Sequence, residues 1–252
     1  MNYGLYLSSV GAEVQSRRME MISHNLANVD TPGFKRELAY IEPRDSEAVE
    51  TGLVSAEAED INNLSGGLRL ESSMTDFSLG ALRSTGVSTD LAIEGENAFF
   101  MVNKDGQQFL TRAGNFTVDP NGTLTTQQGY PVLSTNGDEI NLEPGDWRLL
   151  PGGRIEQNGA AVDLALVQPG SLGDLARVGE NLFRPLAPTQ TLLAPNERPN
   201  VRQGHLEMSS VKPTTEMMDM INASRAYEAN IRMIQHNDSV LGSLLSRVLR
   251  QN

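Results

Sequence analysis

Hydrophobic positions change period twice along this 252-residue chain. Near its start, apolar residues recur at three- and four-residue spacing: Tyr3, Leu7, Val10, Val14 and Met21, a stripe interrupted by Arg17 and widened by Ile22 and Leu26. That spacing lines one face of a helix. The helix is predicted to end near Asn28, because Pro32 lacks an amide donor and disfavours helix at Thr31, while Gly33 permits a type II turn. A longer stripe runs through Met217, Met220, Ser224, Tyr227, Ile231, Ile234, Asp238, Leu241, Leu245 and Val248, and eight of these ten positions are apolar. This is a heptad seam over more than four repeats, which favours helix against helix. Pro213 suits the first helical position, with Glu216 and Asp219 at the positive end of the helix dipole and Arg247 and Arg250 at the negative end.

Between the helices the texture differs. Residues 38–80 are rich in Glu, Ser, Thr, Asn and Gly and read as an extended arm with little core of its own. From Thr89 the apolar period becomes that of strands, in "TDLAIEG", "FFMVN" and "QFLTRAGNFTVDPNGTLTTQQGYPVLS". Turn signals at Asp105-Gly106, Ala113-Gly114, Asp119 to Gly122, Gln128-Gly129 and Asn136-Gly137 predict a meander of short strands. The expected fold is α+β: residues 1–36 and 206–252 as paired terminal helices, 37–80 as the arm and 81–205 as a central β-domain.

Charge sharpens this division. The chain carries a net charge of −12, and residues 38–160 hold nineteen acidic against seven basic side chains. Both helical ends are close to neutral, as suits surfaces that pack against copies of themselves. An acidic surface repels nucleic-acid phosphates, so no nucleic-acid partner is expected. No apolar run approaches the ~18 residues of a membrane span, and the first sixteen residues contain no signal-like apolar stretch. Without cysteine, disulfides and thiolate metal sites are excluded.

The chain carries no recognisable catalytic pattern. His24, His205 and His236 have no neighbours at metal-ligand spacing, and there is no phosphate loop, nucleophile elbow or Cys-His pair. "DPNGTLT" at 119–125 is oxygen-rich, but its Gly is the fourth residue rather than the sixth of a calcium loop, so a β-turn is expected. No catalytic residue, metal ligand or cofactor site is therefore assigned, and the chain is not read as an enzyme.

Four blocks carry a resemblance: "NLANVDTPGFKR" at 25–36, "STDLAIEGENAFFMV" at 88–102, "TRAGNFTVDPNGTLTTQQGYPVL" at 111–133 and "LEMSSVKPTTEMMDMINASRAYEANIRMIQ" at 206–235. In this order and over nearly the whole chain they resemble the signature blocks of the bacterial flagellar axial family, the rod and hook proteins of the basal body. The matching positions include Asn25, Leu26, Ala27, Asn28, Thr31, Gly33 and Phe34 in the first block, and Arg112, Gly114, Gly122 and Gly129 in the third. One departure is "GENAFF", where the family usually has Gly at Asn97 or Ala98.

The resemblance implies a structural subunit of the rod in the periplasm. The two terminal helices would form an inner coiled-coil domain, and copies would assemble helically into a tube. The helical stripes would then be the assembly interface, and the partners other copies, other rod subunits and the flagellar export apparatus. "ENLFRP" at 180–185 and "GHLEMSSVKP" at 204–213 look most like the proximal-rod type. A distal-rod or hook subunit is the alternative within the family, and a secreted carbohydrate-binding or hydrolytic β-domain the alternative outside it.

Overall fold

The structure is a computed structural model that describes residues 3–44, 67–186, 190–193 and 198–249. The chain is α+β, with helix α1 (Tyr3–Ala27) first, a strand-rich middle, and helix α2 (Pro213–Leu249) last. It divides into two compact units. One comprises the described residues of Met1–Ala27, Glu37–Thr75 and Lys212–Asn252; the other comprises those of Asn28–Arg36 and Asp76–Val211.

The first unit is the helix pair and a ribbon of two strands, β1 (Arg36–Arg44) and β2 (Gly67–Asp76). Both helix boundaries follow local chemistry, since α1 stops four residues short of the Thr31-Pro32 step and α2 starts on Pro213. The helices run antiparallel. Gly4 faces Asn237, Gly11 faces Asn230, Arg18 lies 3.7 Å from Asp219, and Asn25 donates to Glu216 at 3.3 Å. A Cβ on Gly11 would come within 3.0 Å of the Asn230 amide, so glycine sets how closely the helices approach there.

Heptad spacing is thus present, and the two helices use it differently. On α1 the positions turned toward the other helix are Gly4, Gly11, Arg18 and Asn25, one residue along from Tyr3, Val10 and Arg17. On α2, Glu216 and Ala223 are buried, and Met220, Tyr227, Asn230, Ile234 and Asn237 are half-buried. The seam within the chain therefore mixes polar contacts with buried and half-buried apolar side chains. The apolar stripe of α1 is instead turned partly to the ribbon: a Cβ on Gly67 would lie 3.3 Å from Leu7 and 3.6 Å from Val10. Residues 38–44 and 67–75, expected as part of an arm, accordingly fold beside α1. Residues 45–66 of that expected arm lie outside the described residues, and 76–80 belong to the second unit.

The second unit is built on a six-stranded antiparallel sheet in the order β13 (Leu175–Gly179), β14 (Leu182–Pro185), β6 (Gln107–Thr111), β5 (Phe99–Lys104), β12 (Leu166–Pro169) and β15 (Gln190–Leu192). Strand β5 lies inside the sheet and has core on both faces, which is why "FFMV" is continuously apolar. Phe100 and Val102 join a cluster with Leu91, Phe116, Leu124, Ile140 and Trp147. Phe99 and Met101 face the other way, toward Phe77, Leu110, Leu133, Val167 and Phe183. Rings pack edge to face, Phe100 on Phe116 at 5.1 Å and Phe77 on Phe99 at 5.7 Å.

This sheet is not a simple meander. Hairpins β5–β6 and β13–β14 are sequential, but β14 pairs with β6 and β12 with β5, bringing residues about 70 apart together. The intervening chain forms its own small ladders, β7 (Thr117–Val118) with β8 (Leu124–Thr125), and β9 (Arg148–Leu150) with β10 (Arg154–Gln157) and β11 (Ala160–Asp163). Local turn signals identify neighbours in sequence and cannot rank distant strands by burial. The turns themselves occur as expected at 105–106, 119–122, 126–129 and 134–137, the last three closed by the amides of Gly122, Gly129 and Gly137. Gly114 differs: it is required for close approach rather than a turn, since a Cβ there would lie 1.6 Å from the Leu91 carbonyl oxygen. The last strands, β16 (Asn200–Gln203) and β17 (His205–Glu207), return to pair with β4 (Leu91–Glu94) and β3 (Leu82–Ser84).

Candidate functional site

Residues of all four sequence blocks meet inside the second unit. Thr31-Pro32-Gly33-Phe34 forms a tight turn, with the Phe34 amide donating to the Thr31 carbonyl at 3.3 Å and Gly33 at φ +68°. With Pro at its second and Gly at its third position, this is the expected type II turn. A Cβ on Gly33 would also come 2.4 Å from the Arg112 backbone. The turn then pairs with the end of β17 and the chain just beyond it, the Gly33 amide donating to the Glu207 carbonyl at 2.7 Å and the Ser210 amide to the Phe34 carbonyl at 3.0 Å. Arg36 N–H donates to Ser210 Oγ at 2.9 Å, and Asn181 Nδ2 donates to the Pro32 carbonyl at 2.8 Å. Nearly every polar backbone group of the segment is committed.

Its side chains are equally fixed. Phe34 is buried under the Arg177 guanidinium, 4.7 Å from the ring centre, and Arg177 donates to the Lys35 carbonyl. The Lys35 side chain is 0% exposed; its Nζ donates to Glu207 Oε1 at 2.6 Å and to the Ser78 carbonyl at 2.8 Å. The same Glu207 oxygen accepts from the Gly80 amide at 3.0 Å, while Oε2 lies 3.7 Å from Arg112 Nε. Arg112, also buried, donates to the carbonyls of Gly95 and Glu96 and stacks over Phe99. Burial pushes the Lys35 ammonium below its ordinary pKa, and the Glu207 charge acts against that shift. Burial likewise lowers Arg112, opposed first by Glu207. Such a cluster contributes specificity of one arrangement more than net stability, because desolvation offsets much of the attraction.

The first unit has its own polar keystone. Asn25 is buried and exchanges two bonds with the Glu37 backbone, Nδ2 donating to the carbonyl at 2.8 Å and Oδ1 accepting from the amide at 2.9 Å, besides its bond to Glu216. It thereby ties α1 to β1 and α2. Leu26 is half-buried, Ala27 exposed, and Asn28 accepts the Thr31 hydroxyl at 3.2 Å.

The expected interface residues are distributed unevenly. Val14 is buried; Leu7, Val10, Met21, Met220, Tyr227, Ile231 and Ile234 are half-buried; Tyr3, Met217 and Leu241 are exposed, the last two at 52% and 41%. Leu245 and Val248 lie within α2, but their side chains are outside the described ones. Met218, Ile221, Met233, Val240 and Leu244 are further exposed apolar residues of α2. Lys35, Glu207, Arg177 and Asn181 were not singled out from sequence. Lys35 and Glu207 stood inside quoted blocks, yet a lysine in one sequence carries no mark of burial when its partner is 172 residues away.

Reactive chemistry finds little support. Among the described residues no group of three or more His, Asp or Glu is placed to hold a metal. A groove in the second unit is lined by Asp119, Glu143 and Trp147. There Asp119 caps its own turn through the amides of Asn121 and Thr123, and Glu143 accepts from Asn158. The carboxylates serve the loops, which does not favour a hydrolytic reading. Buried polar groups that fix backbone, together with a long helix exposing apolar side chains, are features of a structural protein.

Comparison with known proteins agrees. Residues 5–35 match the family model of the flagella basal body rod protein, 92–163 that of the flagellar hook protein FlgE/F/G D1 domain, and 202–247 that of the flagellar basal body rod FlgEFG protein C-terminal. The flagellar basal-body rod protein FlgF of Caulobacter vibrioides is 31% identical over 255 residues, covering 100% of both chains. FlgG of Bacillus subtilis is 32% identical, covering 96% of this chain and 97% of its own, and FlgG of Borreliella burgdorferi 30% identical with the same coverage. The chain belongs to the flagellar basal-body rod proteins. It is a structural subunit of the rod, and not an enzyme.

Proposed function

We propose that copies of this chain join through the outer faces of α1 and α2 into a helically repeating shaft, in the proximal part of the rod, that carries torque from motor to hook. One observation carries the reading: α2 turns Met217, Met218, Ile221, Met233, Val240, Leu241 and Leu244 to solvent. Covering such area gains roughly 25 cal/mol per Å² of apolar surface. Contacts between different faces do not close on themselves and so extend into an axial structure. The inner helices of neighbouring copies then form the coiled-coil domain, with other rod subunits at its ends. Delivery by the flagellar export apparatus belongs to the same reading.

Support for the proximal position comes from "ENLFRP" and "GHLEMSSVKP" together with the end-to-end match to a relative named FlgF. Gold label on a tag in this chain is expected at the membrane-near part of isolated basal bodies; label confined to the hook side would overturn the proximal assignment. In dilute monomer, protease should cut within α1 and α2 while the second unit survives. Ordering a residue costs roughly 1–2 kcal/mol of backbone entropy, and exposed apolar faces offset little of it. Equal resistance throughout would contradict a helix pair that depends on neighbours.

A further inference from the structure

We infer that Lys35 is a conditional latch: the 31–36 turn docks only after residues 205–207 have paired with β3 and delivered the Glu207 carboxylate. The inference concerns folding of the single chain and stands apart from how copies join. It rests on what surrounds the Lys35 ammonium. Its neighbours are the Ser78 carbonyl, Glu207 at 2.6 Å, the Arg112 guanidinium, whose charge opposes it, and the carboxylate of Asp76, a weaker influence than Glu207. Remove Glu207 and the slot holds two buried cations, with the half-buried carboxylate of Asp76 left as the counter-charge among the described residues. Docking the turn then means burying a lysine beside an arginine, which electrostatics forbids at this depth.

Glu207 lies 172 positions after Lys35, and its carboxylate is held in place by the Gly80 amide and by the β17–β3 ladder. A chain that emerges N-terminus first therefore presents the turn long before its counter-charge exists. Until then the turn stays open, although β5, β6 and their core can form. The buried pair makes closure of the joint report that the chain is complete as far as residue 207.

Hydrogen exchange on the full chain tests this. In E207Q the backbone carbonyl that accepts from Gly33 is retained, so any effect comes from charge. Protection of the Gly33, Phe34 and Arg36 amides should fall about a hundredfold, while the β5–β6 hairpin keeps its own. In K35M/E207Q no unpaired lysine remains, and protection of the turn should return to within about tenfold of native. K35M alone, with Glu207 still beside Arg112, should keep the turn docked. In pulse-labelled refolding of the native chain, residues 31–36 should become protected no earlier than 205–207. Full protection in E207Q, no recovery in K35M/E207Q, loss spread evenly over the unit, or protection of the turn before the 205–207 strand would each overturn the latch.

Discussion

Gly114→Ala is expected to unfold the strand-rich unit. The methyl group would sit 1.6 Å from the Leu91 carbonyl oxygen and 2.8 Å from its carbon, so it meets backbone that cannot rotate away. Leu91 is itself tied to this place, its amide donating to the Gly114 carbonyl at 2.9 Å and its side chain fully buried in the larger core cluster. Relieving the overlap requires β4 to separate from the 112–116 segment, and β4 also carries the pairing with β16. The cost should exceed about 4 kcal/mol, a size reserved for disrupted cores. Trp147, the single tryptophan of the chain, belongs to that core and reports unfolding by fluorescence in urea. Gly129→Ala is the informative comparison, since φ is +88° there but no atom lies within 4 Å of the added Cβ. Only left-handed strain remains, about 1–2 kcal/mol. Similar midpoints for the two variants would show that the Leu91–Gly114 approach is not the constraint described.

What could be read from the chain depended on whether its cause was local. Pro32 with Gly33, and Pro213, act on their own backbone, and the turn and helix boundaries they mark are found at Thr31–Phe34 and at Pro213. Asp105-Gly106 likewise joins β5 to β6 with Lys104 opposite Gln107. Period was legible but not direction. On α1 the sets Tyr3-Leu7-Val10 and Gly4-Ser8-Gly11 are equally periodic, and only contact with Asn237 and Asn230 shows that the glycine-bearing set faces the other helix. Gly114 resembled a turn residue because the obstacle that excludes a side chain is 23 positions upstream. Lys35 was hidden for the same reason, and Arg112 was marked only by resemblance until Glu207 placed both in one cluster.

Leu241→Asp should leave the folded chain nearly unchanged and abolish its incorporation into the rod. Leu241 is on the apolar stripe of α2 and 41% exposed, so in the single chain the change removes little packing. Helix propensity accounts for roughly 0.5–0.7 kcal/mol and the charge finds water. Between copies the balance reverses. A carboxylate covered by a neighbouring helix without a partner costs several kcal/mol, on top of about 1.5–3 kcal/mol of lost apolar burial. Because the contact recurs at every subunit, the cost recurs too. Arg232→Asp is the stricter charge change but should be tolerated: its side chain is 71% exposed and lies 3.6 Å from Glu228 on the same face. Losing that pair costs within about 1 kcal/mol. The expected result is that purified Leu241→Asp melts like the native chain by circular dichroism, while cells carrying it lack a completed rod and those carrying Arg232→Asp swim. Normal swimming with Leu241→Asp would place the assembly surface elsewhere. Loss of rods with Arg232→Asp as well would mean that net charge, rather than the apolar face, governs association.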